Sequence, residues 1–251
     1  MLKKVLKWTG IVVGVLILGL VIAGFIMNEP LPKGKKGPEA EALAQKMLNA
    51  INIEAWNQTG MISWDFMGRH SFLWDKKRNF VEVTWGENRV LLNSQTVKGL
   101  AYQHGVLVSD SQETEDLVQK AWAFFCNDSF WLNAPAKAMD PGTERELVTL
   151  EDGSAALKVS YTSGGVTPGD TYLWLLQDDG LPYAWKMWTQ ILPVQGAKST
   201  WDDWVTLPSG ARLATKHKTM GLEMEMKGIK SAEDWQDFGL DSDPFQPLLN
   251  N

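Results

Sequence analysis

Cysteine is almost missing from this chain, with Cys126 standing alone in 251 residues. A single thiol excludes an internal disulfide and any cysteine-based zinc site, so a disulfide-stapled miniprotein and a zinc finger are both out. Histidine is nearly as scarce. His70, His104 and His217 never fall three or four residues apart, and no HExxH or CxxC spacing occurs, so no metal site is expected. There is also no GxSxG elbow, Walker loop or GxGxxG fingerprint, and no cofactor is expected. Outside residues 1–36 the chain has no basic footprint. Those residues carry +5 against a formal total of −6, which leaves −11 for the remainder and excludes nucleic acid as a partner.

What is present begins with an apolar run. Residues 8–27, starting at Trp8 and ending at Met27, hold no charge over twenty positions, enough to cross a hydrocarbon core of roughly 30 Å. The run reads as a transmembrane anchor. A cleaved signal peptide competes, because Lys3, Lys4 and Lys7 form a basic leader and Ile22, Ala23 and Gly24 a passable small-residue site. The anchor is favoured: the run exceeds a typical signal core, and no cysteine follows that could carry a lipid. Lysines on both sides of the span, with Lys33, Lys35 and Lys36 following it, nearly balance. The short leading tail tips the expectation toward a single-pass protein of the bacterial inner membrane, with its bulk in the periplasm or outside. The expected divisions are an anchor at 1–28, a Pro, Gly and Lys-rich linker at 29–37, a folded domain at 38–240 and a tail at 241–251.

Within the folded part, Ala44, Met47, Leu48 and Ile51 recur at helical spacing, which predicts one amphipathic helix from Pro38 to about Trp56. The period then changes to two. Ile62, Trp64, Phe66, His70, Phe72 and Trp74 share one parity, with a bend at Met67, Gly68 and Arg69. Further strands are expected at 80–85, 90–92 and 100–108. A second helix from Ser111 should end near Phe125, where Asn127 and Asp128 suit a helix stop. Alternation returns after Pro141 and continues to Met226, which predicts an α+β fold. An all-β sandwich is the alternative.

Thirteen tryptophans against four tyrosines are the compositional oddity. Trp64, Phe66, Phe72, Trp74 and Trp85, with Tyr172, Trp174 and Trp185 on later strands and Trp131 beyond the inserted helix, form a candidate apolar concavity. Plain core packing is the competing explanation for each ring. The acidic pairs Asp178-Asp179 and Asp202-Asp203 need no glycosidase chemistry, since adjacent strand residues face opposite ways and Asp favours turns.

The run Asn127-Asp128-Ser129-Phe130-Trp131-Leu132, with Pro135, Lys137, Asp140-Pro141-Gly142 and Thr167-Pro168-Gly169-Asp170, resembles an uncharacterised family of bacterial envelope proteins and lipoproteins. In layout, residues 38–235 also resemble the lipoprotein carrier of the Gram-negative periplasm and its relatives. That resemblance implies a strongly curved antiparallel sheet, a half-barrel, wrapped around an N-terminal helix and an inserted helix, with an apolar interior for acyl chains. The implied partner is a lipid or other apolar small molecule, bound by a membrane-tethered protein. A protein-interaction module with a solid aromatic core is the alternative, its protein partner unknown. A hydrolase with a dispersed site would require His70, His104 or His217 to meet two acids in a cleft.

Overall fold

The computed structural model describes residues 8–9, 28–163 and 166–249. The expected span at residues 8–27 lies outside the described residues apart from Trp8 and Thr9, and no helix among the described residues is long and apolar enough to cross a membrane.

Two antiparallel meanders share one sheet. The first comprises β1 (Met61–Phe66), β2 (His70–Asp75), β3 (Phe80–Trp85), β4 (Asn88–Asn93), β5 (Lys98–Gln103) and β6 (Val106–Leu107). Its tight turns follow local chemistry: Met67 and Gly68 both take positive φ between β1 and β2, while the Asp65 carboxylate accepts from the Gly68 N–H at 2.6 Å. The second comprises β7 (Thr143–Thr149), β8 (Ala155–Tyr161), β9 (Thr171–Leu176), β10 (Pro182–Trp188), β11 (Ala197–Thr200), β12 (Asp202–Thr206), β13 (Arg212–Thr219) and β14 (Leu222–Ala232). The spatial order is β6-β5-β4-β3-β2-β1-β14-β13-β11-β10-β9-β8-β7, with β12 alongside β13. The last strand therefore pairs with the first, and the free edges are β6 and β7. The fold is α+β, with a large antiparallel sheet that is curved and unclosed.

Among the residues from 28 onward, the α-helices that accompany it are α1 (Pro38–Ala50), α2 (Ile53–Gln58), α3 (Ser111–Asn133) and α4 (Gln246–Leu249). Helix α3 joins β6 to β7, the two free edges. Its 23 residues span roughly 34 Å at 1.5 Å per residue and pack across β3, β4, β5 and β13, so the sheet curls over it. Helix α1 lies on β7 and β8. The single helix expected from Pro38 to Trp56 is in fact two. Asn52 breaks it in the left-handed region at φ 54°, and its side chain accepts from the Ala55 N–H to start α2. The expected stop near Phe125 is also corrected, because α3 runs on to Asn133. Asn127 and Asp128 bond each other and His70 rather than the local backbone, which leaves the helix intact.

Residues 29–36, expected within a linker, are laid as a strap across the convex face of the second meander. Glu29 meets Lys186 at 2.6 Å and accepts from the Trp188 indole at 2.8 Å. The Pro32 carbonyl accepts from Lys158, and Lys35 exchanges two backbone bonds with Leu147 on the edge strand. This strap runs over a small outer cluster that includes Val148, Leu173 and Trp188. Gly34 makes the close approach possible: a Cβ there would stand 2.6 Å from the Glu146 Cβ and 3.0 Å from the Leu147 carbonyl oxygen. Gly34→Ala is expected to cost about 1–3 kcal/mol, read as a lower urea midpoint at unchanged slope. An unchanged midpoint would show that the strap contributes nothing to the fold.

The C-terminal segment, expected as a tail from Asp241, docks as well. Arg78 clamps Asp243 through two bonds of 2.6 and 2.9 Å, and Phe245 is fully buried beside Met61 and Leu91.

Candidate functional site

The nine candidate rings fall into two groups rather than one trough. Trp64, Phe66, Phe72, Trp74 and Trp85 pack beneath the middle of α3, where Trp64 stacks on Phe72 at 4.5 Å and Trp74 meets Phe125 edge-on at 5.1 Å. Trp85 reaches Phe124 at 5.4 Å. Tyr172, Trp174 and Trp185 belong to the second group, with Trp185 at 4.5 Å from Tyr172, 4.8 Å from Trp174 and 5.0 Å from Trp201. Trp131, near the C-terminal end of α3, packs against both groups and contacts Trp185 at 5.0 Å. The ladder explains the second group. Leu157 opposes Trp174, which opposes Trp185, which opposes Ser199, so these side chains form one row on one face of the sheet. Trp64, Trp174 and Trp185 are almost wholly buried, and Phe66, Phe72 and Tyr172 nearly so.

The histidines are dispersed. His70 Nδ1 lies 2.7 Å from Asp128 Oδ2, and the Asn127 amide donates to the other carboxylate oxygen at 2.8 Å. Burial pushes the Asp128 carboxyl above its ordinary range, against the pull of Asn127 and His70. This is a base-and-orienter arrangement in form, with the His70 ring stacked on Phe124 at 3.9 Å. One acid meets it, not the two a hydrolase reading requires. His104 is exposed near Glu87, and His217 is buried among Trp131 and Trp201. No three His, Cys, Asp or Glu side chains among the described residues could hold a metal ion. Burial also pushes the Cys126 thiol up to about 12, which keeps it protonated and poorly nucleophilic at neutral pH. The unforeseen titratable group is Lys76. Its amine sits 3.7 Å from the centre of the Trp56 ring, and burial, helped by Lys137, lowers it to about 7.

A cleft of about 540 Å³ opens elsewhere, lined by none of the nine rings. Strand β14 pairs with β13 only from Leu222 to Glu225, then turns to β1 from Met226 onward. Gly228, at φ 61°, and a register shift between Ser63 and Asp65 accompany the change of partner. The sheet splits there. Thr215 lines one side and Met226 with Ile229 the other, while Val205, Leu207 and Phe238 complete the apolar lining. Leu207 and Met226 belong to the first aromatic group, and Phe66 stands opposite Met226 in the ladder. Lys230 and Asp237 also line the cleft, and Lys230 has no ion-pair partner among the described residues. The legible signal was Gly228 inside an alternating run, which marks a bulge or a close approach.

No family model and no curated protein matches the chain. The solved structures to which the chain is similar include one crystal structure. It is that of a DUF1329 family protein from Desulfovibrio piger, 11% identical, with an alignment covering 82% of this chain and 96% of that one at a TM-score of 0.43. A likeness of that size carries no functional argument.

Proposed function

We propose that this chain is a membrane-attached binding protein that takes the apolar tail of an amphipathic molecule into the cleft between β13 and β14. The observation that carries the reading is the cleft itself. Its volume of about 540 Å³ lies within the roughly 300–1,000 Å³ of ligand pockets, its floor is apolar, and Lys230 offers a charge to an acidic headgroup. The ligand class is the one implied by the resemblance to lipoprotein carriers. A tail of about ten methylenes removed from water would gain on the order of 8 kcal/mol before ordering costs, so no catalytic group is needed for tight binding.

The test is photocrosslinking of a diazirine-bearing fatty acid to the full chain in nanodiscs, followed by peptide mapping. Label is expected in peptides containing 205–208 and 226–231. Ile229→Glu should reduce it at least tenfold while the far-ultraviolet dichroism stays unchanged. Label confined to residues 8–27 in both proteins would refute the cleft. A second reading, a protein-contact module without a small-molecule ligand, draws support from the close ring packing around Trp185. Stoichiometric crosslinking of one protein partner in cells, with the cleft unlabelled, would favour it.

A further inference from the structure

We propose that the loops at 166–169 and 189–196 form a bilayer-docking face, with Val166 and Ile191 inserted at the boundary of headgroups and acyl chains. The proposal rests on reading residues 8–27 as a membrane anchor, and it adds a fixed orientation to that anchor. Gln195 joins the chain after the run to the loop at 189–196. Its backbone N–H donates to the Asn28 side chain at 2.6 Å, and its carbonyl accepts from the Glu29 N–H at 3.0 Å. Its side-chain amide closes its own loop by donating to the Thr189 and Leu192 carbonyls at 2.9 and 3.0 Å. The neighbouring loop is tied on through Gln190, which donates from its side chain to the Pro168 carbonyl and from its backbone to Asp170. Asn28, the first residue after the uncharged twenty-residue run, is thus hydrogen-bonded to the fold beside these two loops.

Asn28 and Glu29 are both bonded to the fold, so an anchor formed by the apolar run would hold the surface around Asn28 toward the membrane. That surface is suited to lipid. Neither 166–169 nor 189–196 carries a charged side chain, in a chain that is 22% charged. Ile191 is 67% exposed and Val166 51%. Asp170, the nearest acid in sequence, is buried and held by Thr167 and Gln190. Two apolar tips on uncharged loops fit shallow insertion into an interface. They fall short of the roughly 1,000 Å² that a specific protein contact requires.

The experiment uses the full chain in vesicles of phosphatidylethanolamine and phosphatidylglycerol that contain a shallow spin-labelled lipid. A bimane probe is placed at Ile191→Cys or Val166→Cys in a Cys126→Ala background, with Val106→Cys on the edge strand β6 as the distant control. Several-fold stronger quenching and a blue shift are expected at both loop positions relative to residue 106. Carbonate extraction of the same vesicles separates the two ways of failing. A chain that resists extraction while its loop probes are quenched no more than the control overturns the docking face and leaves the anchor. A chain released by carbonate overturns the anchor and the docking face together. Two loop positions guard against one variant misfolding, which matched urea midpoints will detect.

Discussion

Trp185→Ala is expected to destabilise the fold by about 3–5 kcal/mol, the range for truncating a large buried aromatic. Trp185 is fully buried, and four aromatic rings besides Trp131 surround it: Phe130 at 5.6 Å, Tyr172 at 4.5 Å, Trp174 at 4.8 Å and Trp201 at 5.0 Å. Those neighbours come from β9, α3 and the turn into β12, so no one of them can move into the gap without disturbing another element. Trp185→Phe should cost less, since much of the ring contact survives. The measurement is the unfolding free energy of the full chain from urea titration, compared at constant slope. A loss below about 1 kcal/mol for the alanine variant would mean that the rings enclose space rather than fill it. The second aromatic group would then return as a binding interior.

Acid should weaken the fold through His217 by about 3 kcal/mol. Burial lowers this imidazole from its ordinary 6.5 to about 4, partly offset by backbone groups of Thr200 and Trp131. Nδ1 lies 2.9 Å from the Thr200 carbonyl, which fixes it as the donor of the neutral ring. Above pH 6.5 both folded and unfolded chains hold a neutral ring, and the contribution is complete. Between pH 6.5 and about 4 the unfolded chain takes a proton that the folded chain refuses, so stability declines across that window and levels below it. Asp128 acts with the opposite sign. Its raised carboxyl pKa favours the folded state in acid, and it is common to both proteins in a wild-type and His217→Leu comparison. Unfolding free energies at pH 7.5, 5.5 and 4.5 should therefore diverge between the two, the variant losing less toward acid. Parallel curves would show that the ring protonates freely in the fold.

Local chemistry made the strands and many of their turns readable. Ile62, Trp64, Phe66 and Phe72 all turn inward as their shared parity requires, because a period of two needs no distant partner to be visible. Asn127 and Asp128 misled for the complementary reason. Their side chains ordinarily compete for nearby backbone, and only the approach of His70 from β2 supplies another partner. Composition misjudged the strap and the C-terminal segment alike. Proline, glycine and lysine suggest a spacer, yet Gly34 is what lets the backbone lie flat on Glu146 and Leu147, and Phe245 finds its pocket between Met61 and Leu91. The candidate site fared similarly. Aromatic supply was plain from the sequence, whereas its division into two groups depends on which face of which strand meets α3.

By itself the sequence determined the alternating antiparallel strands and the interruption by a helix after Ser111, which are set by neighbours within a few positions, and an acidic balance beyond residue 36, which is composition alone. Only the tertiary structure decided that β14 leaves β13 for β1, that a cleft opens where it does so, and that Asn28 is pinned to Gln195. The reason is physical. Pairing Phe66 with Met226 closes a loop of most of the chain, and its register answers to packing across α3 rather than to any local preference.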